Sequence, residues 1–290
     1  MSARIALGSV QFGLDYGIAN REGQVSCDEA GRILTAAMAA GVDTIDTAIA
    51  YGSSEQVLGE IGVSGWSIVS KLPAVPEGCA DVAAWVEAQV GDSLLRLRTP
   101  GLYGLLLHRP EQLLAENGAE LLAALRRLRE RGLVRKIGVS VYAPDELDRL
   151  AGCMPFDLVQ IPFNVLDTRM VTSGWLPRLR QSGCEVHARS IFLQGLLLMP
   201  TEARPSWFAR WSPLWAAWHE WLAGTGQTPL QACLRHALAH EEIDKLVLGV
   251  NSVAQLREIL TAAEGEALPL PAALRSEDPV LLNPALWSRA

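Results

Sequence analysis

Short apolar runs alternate along the whole chain with longer stretches in which apolar residues recur every three or four positions. The runs predict strands at 3–9 (ARIALGS), 42–46 (VDTID), 66–72 (WSIVSKL), 103–108 (YGLLLH), 137–140 (IGVS), 158–163 (LVQIPF), 185–191 (EVHARSI) and 246–250 (LVLGV). The stretches between them, such as 28–41, 119–132 and 143–152, carry helical spacing and end in glycine, a stop signal. Strand followed by helix predicts a parallel sheet, and eight such units predict closure into a (β/α)8 TIM barrel, one domain over residues 1–290. The unit after the seventh strand is longer. Residues 203–227 precede a segment in which Thr228 and Pro229 form an N-cap and first-turn pair, so an extra helix is expected there. Trp207, Trp211, Trp215, Trp218 and Trp221 fall three or four apart within it, the spacing of a packing stripe on one helix face. Residues 264–290 lack periodicity and read as a tail rather than a domain.

Composition narrows the function class. A chain of 290 residues that is 49% hydrophobic can bury one large core. A formal net charge of -7 argues against a general nucleic-acid or anionic-membrane surface and favours small-molecule chemistry. Cys27, Cys79, Cys153, Cys184 and Cys233 are scattered with no CxxC or Cys/His cluster, which suits a reducing compartment and no structural zinc. The opening residues lack a signal peptide's apolar region and no run reaches the length of a membrane span. A cytoplasmic protein with no bound metal, no nucleic acid and no membrane partner is expected.

Three of the predicted strands carry ionisable residues at or next to their carboxyl ends: Asp46, Lys71 and His108. The carboxyl ends of the strands are where such a barrel keeps its chemistry. Tyr51 follows Asp46 by five residues. A phenol is ordinarily protonated at neutral pH and can donate to a carbonyl oxygen as hydride reaches the carbon. An ammonium about 4 Å away, at an effective dielectric of ~20, favours the resulting tyrosinate by roughly 4 kcal/mol. Lys71 is placed to supply it, Asp46 to hold the lysine charged, and His108 to orient the substrate oxygen through an imidazole N–H.

The segments GSVQFG (8–13), DTAIAYGSSEQVLG (46–59), VSKL, LLHRP, IGVS, VQIPFN and GVNSVAQL together resemble the aldo-keto reductase family over almost the whole chain. The resemblance implies a catalytic tetrad of Asp46, Tyr51, Lys71 and His108 and a nicotinamide cofactor. It places Ser140 and Gln160 on the carboxamide, with Val141 where the family usually has Asn, and Arg189 where the family has an aromatic residue under the nicotinamide ring. Ser190, Phe192 and Gln194 continue toward the pyrophosphate, with Ser9 and Gly249 also lining the cofactor. Beyond strand eight the family's phosphate-gripping cation is replaced by Asn251, followed by Ser252, with Arg257 a turn further on. A charge-assisted pair from Arg257 to the adenosine-ribose phosphate predicts NADP over NAD, with NAD still possible. Leu260 and Thr261 stand where the family has its adenine-contacting Glu and Asn. Pocket walls are expected from 13–20 and 278–287, with Tyr16, Tyr51, His108 and Trp287 facing a small aldehyde, ketone or sugar. Two other classes fit the same residues: a cofactor-binding regulatory member with little turnover, like the potassium-channel β subunits, and a lyase that forms a Schiff base at Lys71.

Overall fold

In the computed structural model, which describes residues 2–287, eight strands pair in sequence order, all parallel, and close into a barrel. They are β1 (Ile5–Gly8), β2 (Thr44–Asp46), β3 (Ser67–Leu72), β4 (Leu102–Leu107), β5 (Val134–Ser140), β6 (Leu158–Pro162), β7 (Glu185–Arg189) and β8 (Lys245–Gly249). The first and second predicted strands come out shorter and the fifth longer. Val134 and Lys136 pair with Leu102 and Gly104 although polar residues interrupt the apolar run there. The seventh stops at Arg189 because Ser190 turns to a φ of 61°, which a strand cannot hold.

Helices Cys27–Ala39, Ser54–Ile61, Val82–Leu97, Gly118–Glu130, Pro144–Leu150 and Trp175–Gln181 follow the first six strands around the outside. Their buried stripes, such as Ala30, Ile33, Leu34 and Ala37 on the first, pack against the sheet. Inside the barrel Val69, Leu106 and Leu158 form a separate apolar layer. At the amino-terminal end Glu185 accepts from Tyr103 Oη at 2.6 Å and bonds His187 Nε2 at 2.6 Å, with Lys136 as a third partner. That polar plug closes the lower end, so the upper end is the open one.

The long connection after β7 holds short 3-10 turns, then helices Ser212–Thr225 and Pro229–Leu238. Thr228 and Gln231 form a full capping box with Pro229 in the first turn, as expected. The tryptophan stripe is broken, however. Trp207 and Trp211 lie in a 3-10 segment (Ser206–Trp211), and the α-helix begins only at Ser212, with Pro213 in its first turn. Packing is still their use: Trp215 and Trp218 are buried and donate to Phe208 and Leu197 carbonyls. The described tail folds back in short turns, and no described helix is long and apolar enough to cross a membrane.

Candidate active site

Side chains along a strand alternate faces, so residues two apart share one. Asp46 stands above Thr44, Lys71 above Val69, Ser140 above Gly138, Gln160 above Leu158 and Arg189 above His187, all ending at the open mouth. His108 continues β4 by one residue, its N–H donating to Leu72 O at 3.0 Å. These residues, with Tyr16 and Tyr51, line a cavity of about 680 Å³ that extends sideways over β7 and β8 to Thr228–Leu230, Asn251, Gln255 and Glu258. That size is typical of small-molecule sites.

Lys71 is 1% exposed. Its Nζ lies 2.5 Å from Asp46 Oδ1 and 2.9 Å from Thr47 O, and 5.1 Å from the centre of the Tyr51 ring. Burial opposes its charge, but Asp46 and then Tyr51 outweigh burial, and its pKa is raised above that of a free lysine. The other Asp46 oxygen accepts from Gln160 Nε2 at 2.7 Å, and Gln160 Oε1 accepts from Ser140 Oγ at 3.3 Å. Ser140, Gln160, Asp46 and Lys71 thus form one chain of hydrogen bonds across β5, β6, β2 and β3.

Tyr51 sits on the turn after β2, and two glycines decide where. A Cβ on Gly13 would lie 1.9 Å from Tyr51 O, and one on Gly52, whose φ is 55°, would lie 2.4 Å from Gly13 O. Only glycine allows this close crossing of backbones. Beneath it, Ser54 Oγ donates to Ser9 O at 2.8 Å while Ser9 Oγ donates to Asp46 O at 3.0 Å. Ser9 therefore borders the cavity with its hydroxyl already committed to the fold. Glu55, next in the same motif, is buried and accepts from Ser70, Ser93 and Arg96. It anchors the turn, a role the linear pattern did not disclose.

The Tyr51 and His108 rings meet edge-on, 6.2 Å between centres. Burial first, then Lys71 and Arg189, lower the His108 pKa to about 4, so the imidazole is neutral at pH 7 and keeps one N–H to donate. His236, half-buried beside Phe163 and His240, is also brought down to about 4. The unfolded chain takes up these protons near pH 6.5 and the folded one only near 4. Stability is therefore full above about pH 6.5 and lost progressively as pH falls toward 4. We expect the melting temperature to fall across that window, with a shallower slope in His108→Gln/His236→Gln; equal slopes in the two proteins would contradict the assignment.

After Arg189 the chain runs through left-handed conformations at Ser190, Leu193, Gln194 and Gly195. Non-glycine residues hold them at a cost. This strained loop faces the cavity with Ser190, Phe192 and Gln194. Gln194 Nε2 donates to Tyr16 Oη at 3.0 Å, and Asn251 Nδ2 to Asn20 Oδ1 at 2.9 Å, so the segment after β1 straps the mouth to the loops after β7 and β8.

Three expected site residues lie elsewhere. Ser252 does not line the cavity; its hydroxyl accepts from Gln255 N–H and caps helix Val253–Ala262. Arg257 is exposed on that helix and does not line the cavity either, because the face turned inward carries Gln255, Glu258 and Ile259. Trp287 packs edge-on against Phe208, and its indole donates to Leu281 O at 3.1 Å; it anchors the tail rather than walling the pocket. Conversely, Gln11, Asn20, Tyr142, Gln255 and Glu258 border the cavity without having been singled out. Gln11 carries a buried carbonyl oxygen with no partner, close against Gly249, where any Cβ would lie 2.3 Å from its Nε2.

Comparison with known proteins bears directly on this arrangement. Over 280 residues the chain is 28% identical to L-galactose dehydrogenase from Arabidopsis thaliana, covering 90% of this chain and 86% of that protein. Among solved structures it is similar to an aldo-keto reductase from Bacillus halodurans in its holo form, with a TM-score of 0.73 at 20% identity, covering 95% of this chain and 94% of the other. It is similar also to the glycerol dehydrogenase from Gluconobacter oxydans, with a TM-score of 0.69 at 22% identity over 92% of this chain and 88% of the other. At those identities the structural likeness shows the fold. The family model described as "Aldo/keto reductase family" matches residues 4–270, nearly the whole barrel, and the chain belongs to that family of oxidoreductases.

Proposed function

We propose that the protein interconverts a small aldehyde, ketone or sugar and the corresponding alcohol, using a nicotinamide dinucleotide. The observation that carries this reading is the buried Asp46–Lys71 pair beneath Tyr51, with neutral His108 beside it, at the mouth of an elongated cavity. Tyr51 gives its hydroxyl proton to the carbonyl oxygen. Lys71 stabilises the tyrosinate, Asp46 fixes Lys71, and His108 donates a hydrogen bond that orients the same oxygen. In the reverse direction each proton movement reverses.

The cavity fits a dinucleotide on three counts. Gln11 Oε1 is a buried acceptor awaiting a donor; Gly249 leaves no side chain on the floor; and the left-handed run at Ser190–Gly195 is the kind of backbone that turns amides toward phosphate. Ser140 and Gln160 would hold the carboxamide beside Tyr51, the loop with Ser190, Phe192 and Gln194 the pyrophosphate, and the end with Asn251, Gln255 and Glu258 the adenosine. When bound, the cofactor supplies or accepts the hydride.

One relative named for sugar dehydrogenation supports a polyhydroxylated substrate. The Schiff-base alternative requires a neutral, accessible amine, whereas Lys71 is buried, ion-paired and raised in pKa. Purified protein should oxidise NADH or NADPH when offered aldehydes, ketones or sugars, or reduce the oxidised cofactor with alcohols. No turnover with any of them, despite cofactor binding, would favour a regulatory role.

The expectation of NADP rested on Arg257, which does not face the cavity. Glu258 does, and an acidic group there opposes the extra phosphate of NADPH. We therefore expect NADH to bind at least as well as NADPH. Glu258→Gln should raise NADPH affinity by about 10-fold and Asn251→Lys by a similar factor, as a charge-assisted hydrogen bond of about 1.5–3 kcal/mol allows. Fluorescence titration tests this; a strong NADPH preference that collapses in Arg257→Ala would restore the original phosphate site.

A further inference from the structure

Two arginines flank Tyr142, and they differ in one respect. Arg169 donates to its carbonyl oxygen at 3.0 Å and is paired with Asp167, both of whose oxygens it reaches at 2.8 Å. Arg189 stacks over the Tyr142 ring, 4.3 Å from its centre, and bonds only neutral acceptors, Val141 O at 3.0 Å and Ser190 Oγ at 3.2 Å. No described carboxylate pairs with it. Yet Arg189 is half-buried and lines the cavity. The other cation lining the cavity, Lys71, is neutralised by Asp46, and Glu258 stands at the opposite end, so among the lining residues near the reacting carbon Arg189 carries the uncompensated positive charge.

A partly buried cation held rigidly with no counter-ion is costly unless a ligand provides one. Arg189 is rigid: it is stacked and tied at two nitrogens, with donors left over from the five a guanidinium offers. It is also close to the reacting centre, since its charge acts on both His108 and Tyr16. From the Arg189 guanidinium stacked on Tyr142 beside Tyr16 and His108, we infer that the substrate carries an anionic group, a carboxylate in the first instance, near its carbonyl or carbinol carbon. The inference rests on the carbonyl chemistry proposed above and narrows its substrate class to oxo acids, hydroxy acids and sugar acids.

The cofactor's pyrophosphate is a second source of the same anion chemistry. The geometry favours the substrate. One Arg189 nitrogen touches Ser190 Oγ at the start of the strained loop, but the guanidinium plane is stacked on Tyr142 and its other nitrogen is drawn to Val141 O after β5, on the side of His108 and away from the Asn251 end.

The test compares glyoxylate, succinic semialdehyde and 4-carboxybenzaldehyde with their methyl esters. For at least one pair, kcat/KM for the acid should exceed that for the ester by about 10- to 100-fold, the range a charge-assisted hydrogen bond provides. In Arg189→Gln that acid-to-ester ratio should collapse to near unity, and in Arg189→Lys part of it should remain. A turnover-independent arm measures benzoate against benzamide binding by calorimetry at saturating oxidised cofactor, where wild type should prefer benzoate and Arg189→Gln should not. Ratios near or below one in every pair with no benzoate preference overturn the inference while leaving carbonyl reduction standing. An Arg189→Gln protein that keeps the acid preference but binds reduced cofactor 10- to 100-fold more weakly assigns Arg189 to pyrophosphate, which also overturns it. If no carbonyl is turned over, carbonyl chemistry fails, and the benzoate arm still decides whether Arg189 binds a carboxylate.

Discussion

Tyr51→Phe is expected to lower carbonyl turnover by about 100- to 10,000-fold, the usual contribution of a positioned general acid, with dinucleotide affinity within about twofold of wild type. The substitution removes one oxygen and little else. The turn that holds the ring is set by the Gly13 and Gly52 crossing and by the Ser9–Ser54 bonds, none of which involves the phenol hydroxyl. The phenyl ring left at that position would still face His108 and Lys71, so lost activity with retained binding isolates the proton. Steady-state kinetics with a saturating aldehyde and fluorescence titration of the cofactor check the two halves separately. Wild-type turnover would remove Tyr51 from the chemistry, and lost cofactor binding would make it a structural residue.

Much of the barrel was readable because each strand is an apolar run bounded by turn residues and each helix carries its own stripe. The candidate site was readable where an ionisable residue falls at a strand end: Asp46, Lys71 and His108 interrupt apolar runs at the position a barrel exposes. Links between distant strands left no local mark. The Gln160–Asp46 hydrogen bond joins residues 114 apart in the chain, and nothing in either segment alone announces the other. The placement of Arg257 failed through helix phase. Gln255, Glu258 and Ile259 line the cavity, and Arg257, about 160° round the helix from both Gln255 and Ile259, is carried away from it. The tryptophan stripe failed as a single helix because Pro213 fits a first turn but not a helix interior.

The buried Asp46–Lys71 pair beside Tyr51 should behave as a unit. Lys71→Met removes the ammonium and leaves the Asp46 carboxylate, 3% exposed, with Gln160 as its remaining side-chain donor. Stranding one member of a buried pair typically costs about 3–5 kcal/mol, so this variant should unfold at clearly lower denaturant as well as lose most of its turnover. Asp46→Asn strands the lysine's charge instead, leaving it only neutral acceptors, the introduced amide oxygen and Thr47 O, and should also be both slower and less stable. The decisive protein is the double variant. With both charges gone no ion is stranded, so its stability loss should fall short of the sum of the two single losses by roughly 1–3 kcal/mol. Its turnover should be little worse than that of Lys71→Met alone, because without the ammonium the carboxylate has nothing left to position. Urea unfolding and kinetics on the four proteins complete the cycle. Strict additivity in both measurements would mean that the 2.5 Å contact between Lys71 and Asp46 is not what tunes Tyr51.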